Sequence, residues 1–576
     1  MASPRCRRTL LPALVAVATL LAAAGCSRGT PKAAAASPSP APVTAAPTPA
    51  ASPAPQDPAA QAAALVATLS DEDLVGQVLM PYAYGSSATT VSGGSAAGNR
   101  KLAGVDTPAQ MIARYRLGGL ILVGFSADDP TGANQPTTNV DNAEQVRDLT
   151  AGLQKAGAAL KTGGVPLLVG TDQEFGVVTR IKDGVTLLPS AMAIGAAGDP
   201  VRTEKGWNAA GAELAALGVN VDFAPDADVL GTAGGVIGSR SFGGDPKAVA
   251  AQVAAAVRGL QGAGVAATLK HFPGHGATAT DSHSDLPVLH QDLNRLEAVD
   301  LAPFSAGIDA GAWLVMSGHL DAQAIDPGVS ATFSHKVLTD VLRGRLRFTG
   351  VTVSDAMNMA PAEKYAAGDA AVRALNAGND ILLMPPNLEA AYDGIRRALA
   401  SGTMARSRLV EAATRILTLK YRLAAAPSPG AEALDSAEHR AAAAELSAAA
   451  ITQLRGPCGA RLRGPVTVTA SGGREASRSS FEHALRAAGL RVVSRGGAVV
   501  HLVGYGDGGG DLRADATVTV AMDTPYVLGR ATSGILLASY SSTPASLNAV
   551  ARVLAGKAKP TGRSPVTVPG LPRTVC

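Results

Sequence analysis

Val265-Ala266-Ala267-Thr268-Leu269 runs directly into Lys270-His271-Phe272-Pro273-Gly274-His275-Gly276, so a short apolar segment ends on charge and imidazole and is then stopped by Pro and Gly. A continuous apolar run of this length suits a strand buried on both faces, as in parallel sheets covered by helices. The arrangement recurs. Gly76 to Tyr82, Gly118 to Gly124, Val165 to Gly170, Val219 to Phe223, Trp313 to Ser317, Val351 to Ser354 and Ile381 to Met384 are comparable runs separated by Ala-rich helical segments. Eight strands alternating with helices predict an α/β fold, a (β/α)8 TIM-like barrel followed by a smaller C-terminal α/β sandwich domain. An open doubly wound sheet is the competing arrangement.

The residues that close these runs favour the barrel. Asp172-Gln173-Glu174 follow the third run, Asp222 and Asp226 lie around the end of the fourth, Lys270-His271 follow the fifth, His319 the sixth and Asp355 the seventh. In a parallel barrel these positions share one rim, where active sites are built. Five of the nine histidines (His271, His275, His283, His290 and His319) fall within this region. A metal site, an acid/base site and an ordinary hydrogen-bonded loop are the three readings. Pro273-Gly274 breaks the helix that would align His271 with His275, which argues against a metal set made of these two and His283. No metal or cofactor is expected; Gly504 to Gly510 is glycine-rich but lacks a nucleotide fingerprint.

Several carboxylates, two cations and imidazoles on one rim suit hydrolysis of a neutral polar substrate such as a sugar. Retaining glycoside hydrolysis needs a carboxylate that attacks the anomeric carbon and a group that protonates the leaving oxygen. Asp355 directly follows a buried strand and is the candidate nucleophile, a helix-capping aspartate being the alternative. Asp281 and His283 are two apart, close enough for the carboxylate to orient the ring, and an imidazole is suited to act first as acid and then as base.

The segment Lys270 to Gly276 with Asp281-Ser282-His283 and Pro287 resembles the signature of the bacterial β-N-acetylglucosaminidases of glycoside hydrolase family 3. Asp172-Gln173-Glu174, Pro225, Gly238-Ser239-Arg240-Ser241-Phe242-Gly243 and Gly350-Val351-Thr352-Val353-Ser354-Asp355 resemble it in the same order. The resemblance implies Asp355 as covalent nucleophile, His283 paired with Asp281 as acid/base, and Asp172, Arg180, Arg240, Lys270 and His271 as residues holding the sugar. Phe175 and Val177 depart from the family's usual Gly and Arg, which leaves the packing beside the sugar open.

The flanks set location. Arg5, Arg7 and Arg8 precede an apolar run from Leu10 to Leu21 and then Ala22-Ala23-Ala24-Gly25-Cys26, the layout of an export signal over 1–25 that ends in a lipobox, with Cys26 as the lipidated residue. Without those three arginines the chain carries 47 basic against 46 acidic residues, and aromatics make up only 3%. That balance argues against nucleic acid as a partner. Residues 26–58, rich in Ala, Pro and Ser, read as a tether reaching roughly 90 Å at ~3 Å per residue. The barrel is expected over 59–425, beginning near Ser70 as a helix N-cap, then a linker at 426–435 and the C-terminal domain over 436–576. Cys6 and Cys26 being accounted for by export, Cys458 and Cys576 are expected to form a disulfide.

The expected protein is a lipid-anchored exo-β-N-acetylglucosaminidase on the outer face of the cell membrane, acting with retention on GlcNAc-containing glycans such as peptidoglycan fragments. A GlcNAc phosphorylase, a β-glucosidase of the same family and an inactive wall-binding lipoprotein are the alternatives.

Overall fold

A computed structural model describes residues 57–124, 139–231 and 235–576. The export signal, Cys26 and nearly all of the tether lie outside the described residues. All eight apolar runs contain strands. They are β1 (Leu79–Met80), β2 (Gly119–Leu122), β3 (Leu168–Thr171), β4 (Val221–Asp222), β5 (Ala266–Phe272), β6 (Leu314–Ser317), β7 (Val351–Ser354) and β8 (Leu382–Leu383). β2 to β7 form one curled parallel sheet whose spatial order follows the sequence. β8 pairs with β1 in parallel, and single parallel bridges join Tyr82 to Ile121 and Val353 to Ile381. A doubly wound sheet would reverse its order at a switch point; this one does not.

Local chemistry sets the helices between strands. Ser70 caps Asp71–Gln77: its Oγ accepts from Asp73 N at 3.2 Å while the Asp73 carboxylate accepts from Ser70 N at 3.0 Å. Such a reciprocal cap is worth ~1 kcal/mol. Helix Pro246–Gly262 starts with Asp245 as N-cap and Pro at its first position. It buries Val249, Val253, Ala256, Val257 and Leu260, a spacing of three and four that faces one side of a helix. None of the helices among the described residues is long and apolar enough to cross a membrane.

Six further strands follow: β9 (Thr452–Arg455), β10 (Pro465–Ala470), β11 (Arg491–Val492), β12 (Ala498–Val503), β13 (Val518–Ala521) and β14 (Ile535–Ala538). Their order is β9-β14-β13-β12-β10-β11, with β9 antiparallel and the rest parallel. Successive residues of a strand face opposite sides. Leu537 accordingly joins a core with Phe481 and Val550, while Leu536 and Ala538 join another that contains Met192 and Ala193 from the helix Ala191–Ala197 beyond β3 and Ile237 from the loop beyond β4. The second sheet is therefore seated on the rim of the first. Cys458 and Cys576 are joined by a disulfide with a Cα–Cα distance of 5.1 Å.

Candidate active site

The carboxyl ends of β3, β4, β5 and β7 converge on one pocket, lined among others by Asp172, Arg240, Lys270, His271, His283 and Asp355. Consecutive strand residues should point to opposite faces, yet Lys270 and His271 both line it. The cause is a break in the pairing of β5 with β6: Leu269 opposes Val315 but Phe272 opposes Ser317, so the two residues between them leave the regular ladder. A bulge re-aims side chains in this way.

Glu174 gathers the cations. Its carboxylate accepts two hydrogen bonds from Arg240, at 2.7 and 2.9 Å, and lies 2.5 Å from Lys270 Nζ. Burial pushes Glu174 up, but Arg240 and Lys270 outweigh it and hold the carboxyl at about 2. Lys270 also donates to Asp172 at 2.9 Å, and Arg180 lies 3.6 Å from that carboxylate. Burial raises Asp172 above the usual carboxylate range against the pull of Lys270, and it brings Arg180 down to about 9, with Arg240 adding to the effect. Arg180 does not line the pocket; it stands behind Asp172.

Asp228 was not among the residues singled out from sequence. Its carboxylate accepts from His271 Nδ1 at 2.8 Å and from the backbone N–H of His275 at 2.6 Å. Arg240 Nη2 lies 3.4 Å from His271 Nε2. A donor on one ring nitrogen and an acceptor on the other fix the neutral tautomer with hydrogen on Nδ1. In keeping with this, burial lowers the His271 pKa well below its ordinary value, and Arg240 and Lys270 add to the effect. The signal available in the sequence was Asp226-Ala227-Asp228, two acids spaced by one residue just past a strand.

Asp355 follows β7, with its backbone N–H donating to Ser317 O at 2.9 Å and its Oδ1 accepting from Ala356 N at 2.8 Å. Burial alone would raise its pKa; His271, His319 and His283 with the Ala356 N–H outweigh this and hold it below the usual carboxylate range. His283 reaches the same pocket from the loop after β5. Its Nδ1 donates to Asp281 Oδ1 at 2.7 Å and its N–H to the same oxygen at 2.9 Å. Burial pushes the Asp281 carboxyl up, but the two bonds from His283 together with the nearby imidazoles outweigh it and hold it below the usual carboxylate range.

Of the remaining histidines, His275 also lines the pocket, whereas His290 and His319 do not. His275 Nε2 pairs with Ser282 Oγ at 3.1 Å, His290 with Gln323 at 3.2 Å, and His319 Nε2 donates to Ala356 O at 2.9 Å. Among the described residues, Asp226, Asp228 and His271 have ligand atoms within 4.8 Å of one another. Arg240 Nε already lies 3.2 Å from Asp226, and His271 Nδ1 is engaged by Asp228, so the cationic charge there belongs to the protein.

The residues that depart from the expected motif turn away from the pocket. Phe175, at φ 66°, is buried edge-to-face on Trp207 with ring centroids 5.6 Å apart, and Val177 lines a different cavity.

Residues 73–419 match the model of the glycosyl hydrolase family 3 N terminal domain. The chain belongs to glycoside hydrolase family 3. The enzyme is 34% identical over 435 residues to a beta-hexosaminidase A of Pseudoalteromonas piscicida, covering 69% of each chain. It is 41% identical over 254 residues to a beta-hexosaminidase of Stenotrophomonas maltophilia, covering 43% of this chain and 73% of the other. The structure of a glycoside hydrolase family 3 beta-N-acetylglucosaminidase from Paenibacillus sp. superposes with a TM-score of 0.75 at 31% identity, covering 88% of this chain and all of that one. The glycoside hydrolase thus shares its second sheet as well as its curled parallel sheet with a solved relative.

Proposed function

We propose that this hydrolase is a retaining exo-β-N-acetylglucosaminidase that removes terminal β-linked GlcNAc from peptidoglycan fragments or related oligosaccharides. The curled sheet is read as a closed (β/α)8 barrel carrying an α/β sandwich, and Cys26 as the lipid anchor that keeps the enzyme on the outer face of the membrane. One observation carries the reading: an ionised Asp355 and the Asp281-braced His283 enter a single pocket whose other wall is the Asp172, Arg240, Lys270 and His271 group. The names of the relatives supply the GlcNAc preference.

In the proposed mechanism an Asp355 oxygen attacks the anomeric carbon as the glycosidic C–O bond breaks, and protonated His283 passes its Nε2 proton to the departing oxygen. Asp281, bound to Nδ1, stabilises the imidazolium before transfer and sets the ring's direction. The products are a glycosyl ester, neutral His283 and a free alcohol. Neutral His283 then takes a proton from water, whose oxygen displaces Asp355 from the sugar with a second inversion. Lys270, Asp172 and Arg240 hold the sugar hydroxyls through charge-assisted hydrogen bonds.

The test is hydrolysis of an aryl β-GlcNAc beside the matching aryl β-glucoside by the wild type and Asp355→Asn. The reading expects strong preference for the GlcNAc compound and a loss of roughly 10³-fold or more in the variant. Equal turnover of both sugars, or an Asn variant that keeps its rate, sinks it.

A further inference from the structure

A second cavity of the enzyme lies apart from the catalytic pocket. It has a volume of about 280 Å3 and lies between the barrel rim and the second sheet, with Val177 and Lys182 on one wall, Arg474 and Tyr505 on the other, and Ser239 and Asp523 between them. Small-molecule sites begin at roughly 300 Å3, so the space is of ligand size.

Its position follows from strand order. In the second sheet β10 leads to β11 on one side, whereas β12, β13 and β14 follow on the other. Chains leave such a switch point in opposite directions and open a crevice beyond the carboxyl ends of the strands, where open α/β sheets bind ligands. Arg474 follows β10, Tyr505 follows β12 and Asp523 follows β13. The crevice is closed into a cavity by the rim of the barrel, and the core shared by Ile237, Met192 and Leu536 holds the two walls together.

Charge indicates what it takes. Two cations line it, Lys182 and Arg474, against one acid, Asp523, which already accepts from Ser239 Oγ. The Arg474 guanidinium is fixed by donating to Tyr505 O and by Asp507 at 3.7 Å. Two elements connect the cavity to the chemistry. In the turn Gly238–Arg240, Ser239 lines the cavity while Arg240 lines the catalytic pocket. Asp172, Glu174 and Val177 likewise lie along one hairpin, with Glu174 gripping Arg240. A pocket that holds one terminal sugar leaves the remainder of the substrate to its neighbours.

We propose that this cavity is a second binding site, taking a carboxylate-bearing sugar-peptide portion of the glycan by charge-assisted contacts to Lys182 and Arg474. The link to turnover rests on the exo-glycosidase reading; the binding site itself does not.

The experiment is calorimetric titration of the full chain with N-acetylmuramyl-alanyl-isoglutamine, which carries one free carboxylate and no GlcNAc. Wild type and Asp355→Asn should bind it alike. Lys182→Glu and Arg474→Gln should each bind at least tenfold more weakly, and the probe with its carboxylate amidated should bind wild type as weakly as the free acid binds these variants. Lys182 is exposed, so Lys182→Glu should fold normally and keep its rate on the aryl β-GlcNAc, while Arg474→Gln preserves length and polarity. No binding by wild type, unchanged binding by both variants, or equal binding of the amidated probe overturns the proposal. Absent aryl β-GlcNAc turnover with retained probe binding overturns the enzymatic reading and leaves the site standing.

Discussion

Asp228 and His271 form the joint on which the catalytic rim turns: a buried carboxylate takes the ring Nδ1–H at 2.8 Å and, from the same segment, the backbone N–H groups of His271 at 3.2 Å and His275 at 2.6 Å. One side chain thereby fixes the direction of His271 and the path of the Lys270 to His275 turn.

Asp228→Asn should expose that dependence. An amide cannot accept from all three donors at once, so His271 loses its tautomer preference while Asp355 and His283 stay intact. We expect kcat/KM on an aryl β-GlcNAc to fall about 10- to 100-fold, as for other residues that orient an imidazole through its second nitrogen. The loss should appear partly in KM and the alkaline limb of the pH profile should move. A uniform drop in kcat with KM and pH profile unchanged would contradict the assignment.

Asp300 carries a pH-dependent cost. Both its oxygens are buried without a hydrogen-bond partner, and burial, helped by Asp228, raises its pKa from 3.8 to about 7. Between about pH 4 and 7 the unfolded chain has released a proton that the folded chain keeps, so stability falls with rising pH and levels off above 7. Asp300→Asn should be close to neutral at pH 4 and stabilising by about 2–4 kcal/mol at pH 8. Denaturant midpoints that shift equally at both pH values would refute this.

Lys420 behaves with the opposite sign. It is fully buried, donates to Gln77 Oε1 at 2.9 Å, and burial lowers it from 10.5 to about 7. The unfolded chain holds the proton up to about pH 10.5, so stability rises with pH between 7 and 10.5. Lys420→Met should raise stability by about 2–4 kcal/mol at pH 7, part of the gain being offset by the stranded Gln77 oxygen. That advantage should vanish near pH 10.5; thermal melts across this range that keep a constant offset would count against it.

The Cys458–Cys576 bond spans 118 residues, a loop whose closure is worth about 4–5 kcal/mol in the chain-entropy model. Replacing both cysteines with alanine should lower the denaturant midpoint, and adding a reductant should move the wild type toward the same value. Two free thiols in the unfolded, unreduced protein from residue 59 onward, which lacks Cys6 and Cys26, would show that the bond is not formed.

Strands β1 to β8 were legible because each is a short apolar run, and errors among them came only at their edges, whereas β9 and β11, which carry polar residues, were not read as strands. Gly76, read as the start of a strand, belongs to the helix Asp71–Gln77, where its missing Cβ admits the Arg116 carbonyl, 2.2 Å from where that atom would be. Val165 and Pro166 precede β3 because proline supplies no ladder N–H. Asp355, Asp172, Lys270 and His271 were legible as rim residues because strand ends collect them, His283 from its spacing to Asp281, and Arg240 only from its likeness to the family's motif. Asp228 was not, since its role depends on a loop returning beneath another strand's bulge. The cavity beside Lys182 was equally hidden, for it is made by two surfaces more than 290 residues apart in the chain.

The segment that includes Arg563, Ser564 and Pro565 has a consequence for how the enzyme comes into being. Gly244, just beyond Arg240, donates to Pro565 O at 3.1 Å, and Arg563 N donates to Ala196 O at 3.0 Å. The strap behind Arg240 is thus braced by residues synthesised some three hundred positions later. A nascent chain halted after β14 would have emerged from the ribosome with every residue of the catalytic pocket and still lack the brace, so completion of the C-terminal segment, rather than possession of the catalytic groups, would determine when hydrolysis begins; release of stalled chains with and without residues 560–576, assayed on the aryl β-GlcNAc, would measure it.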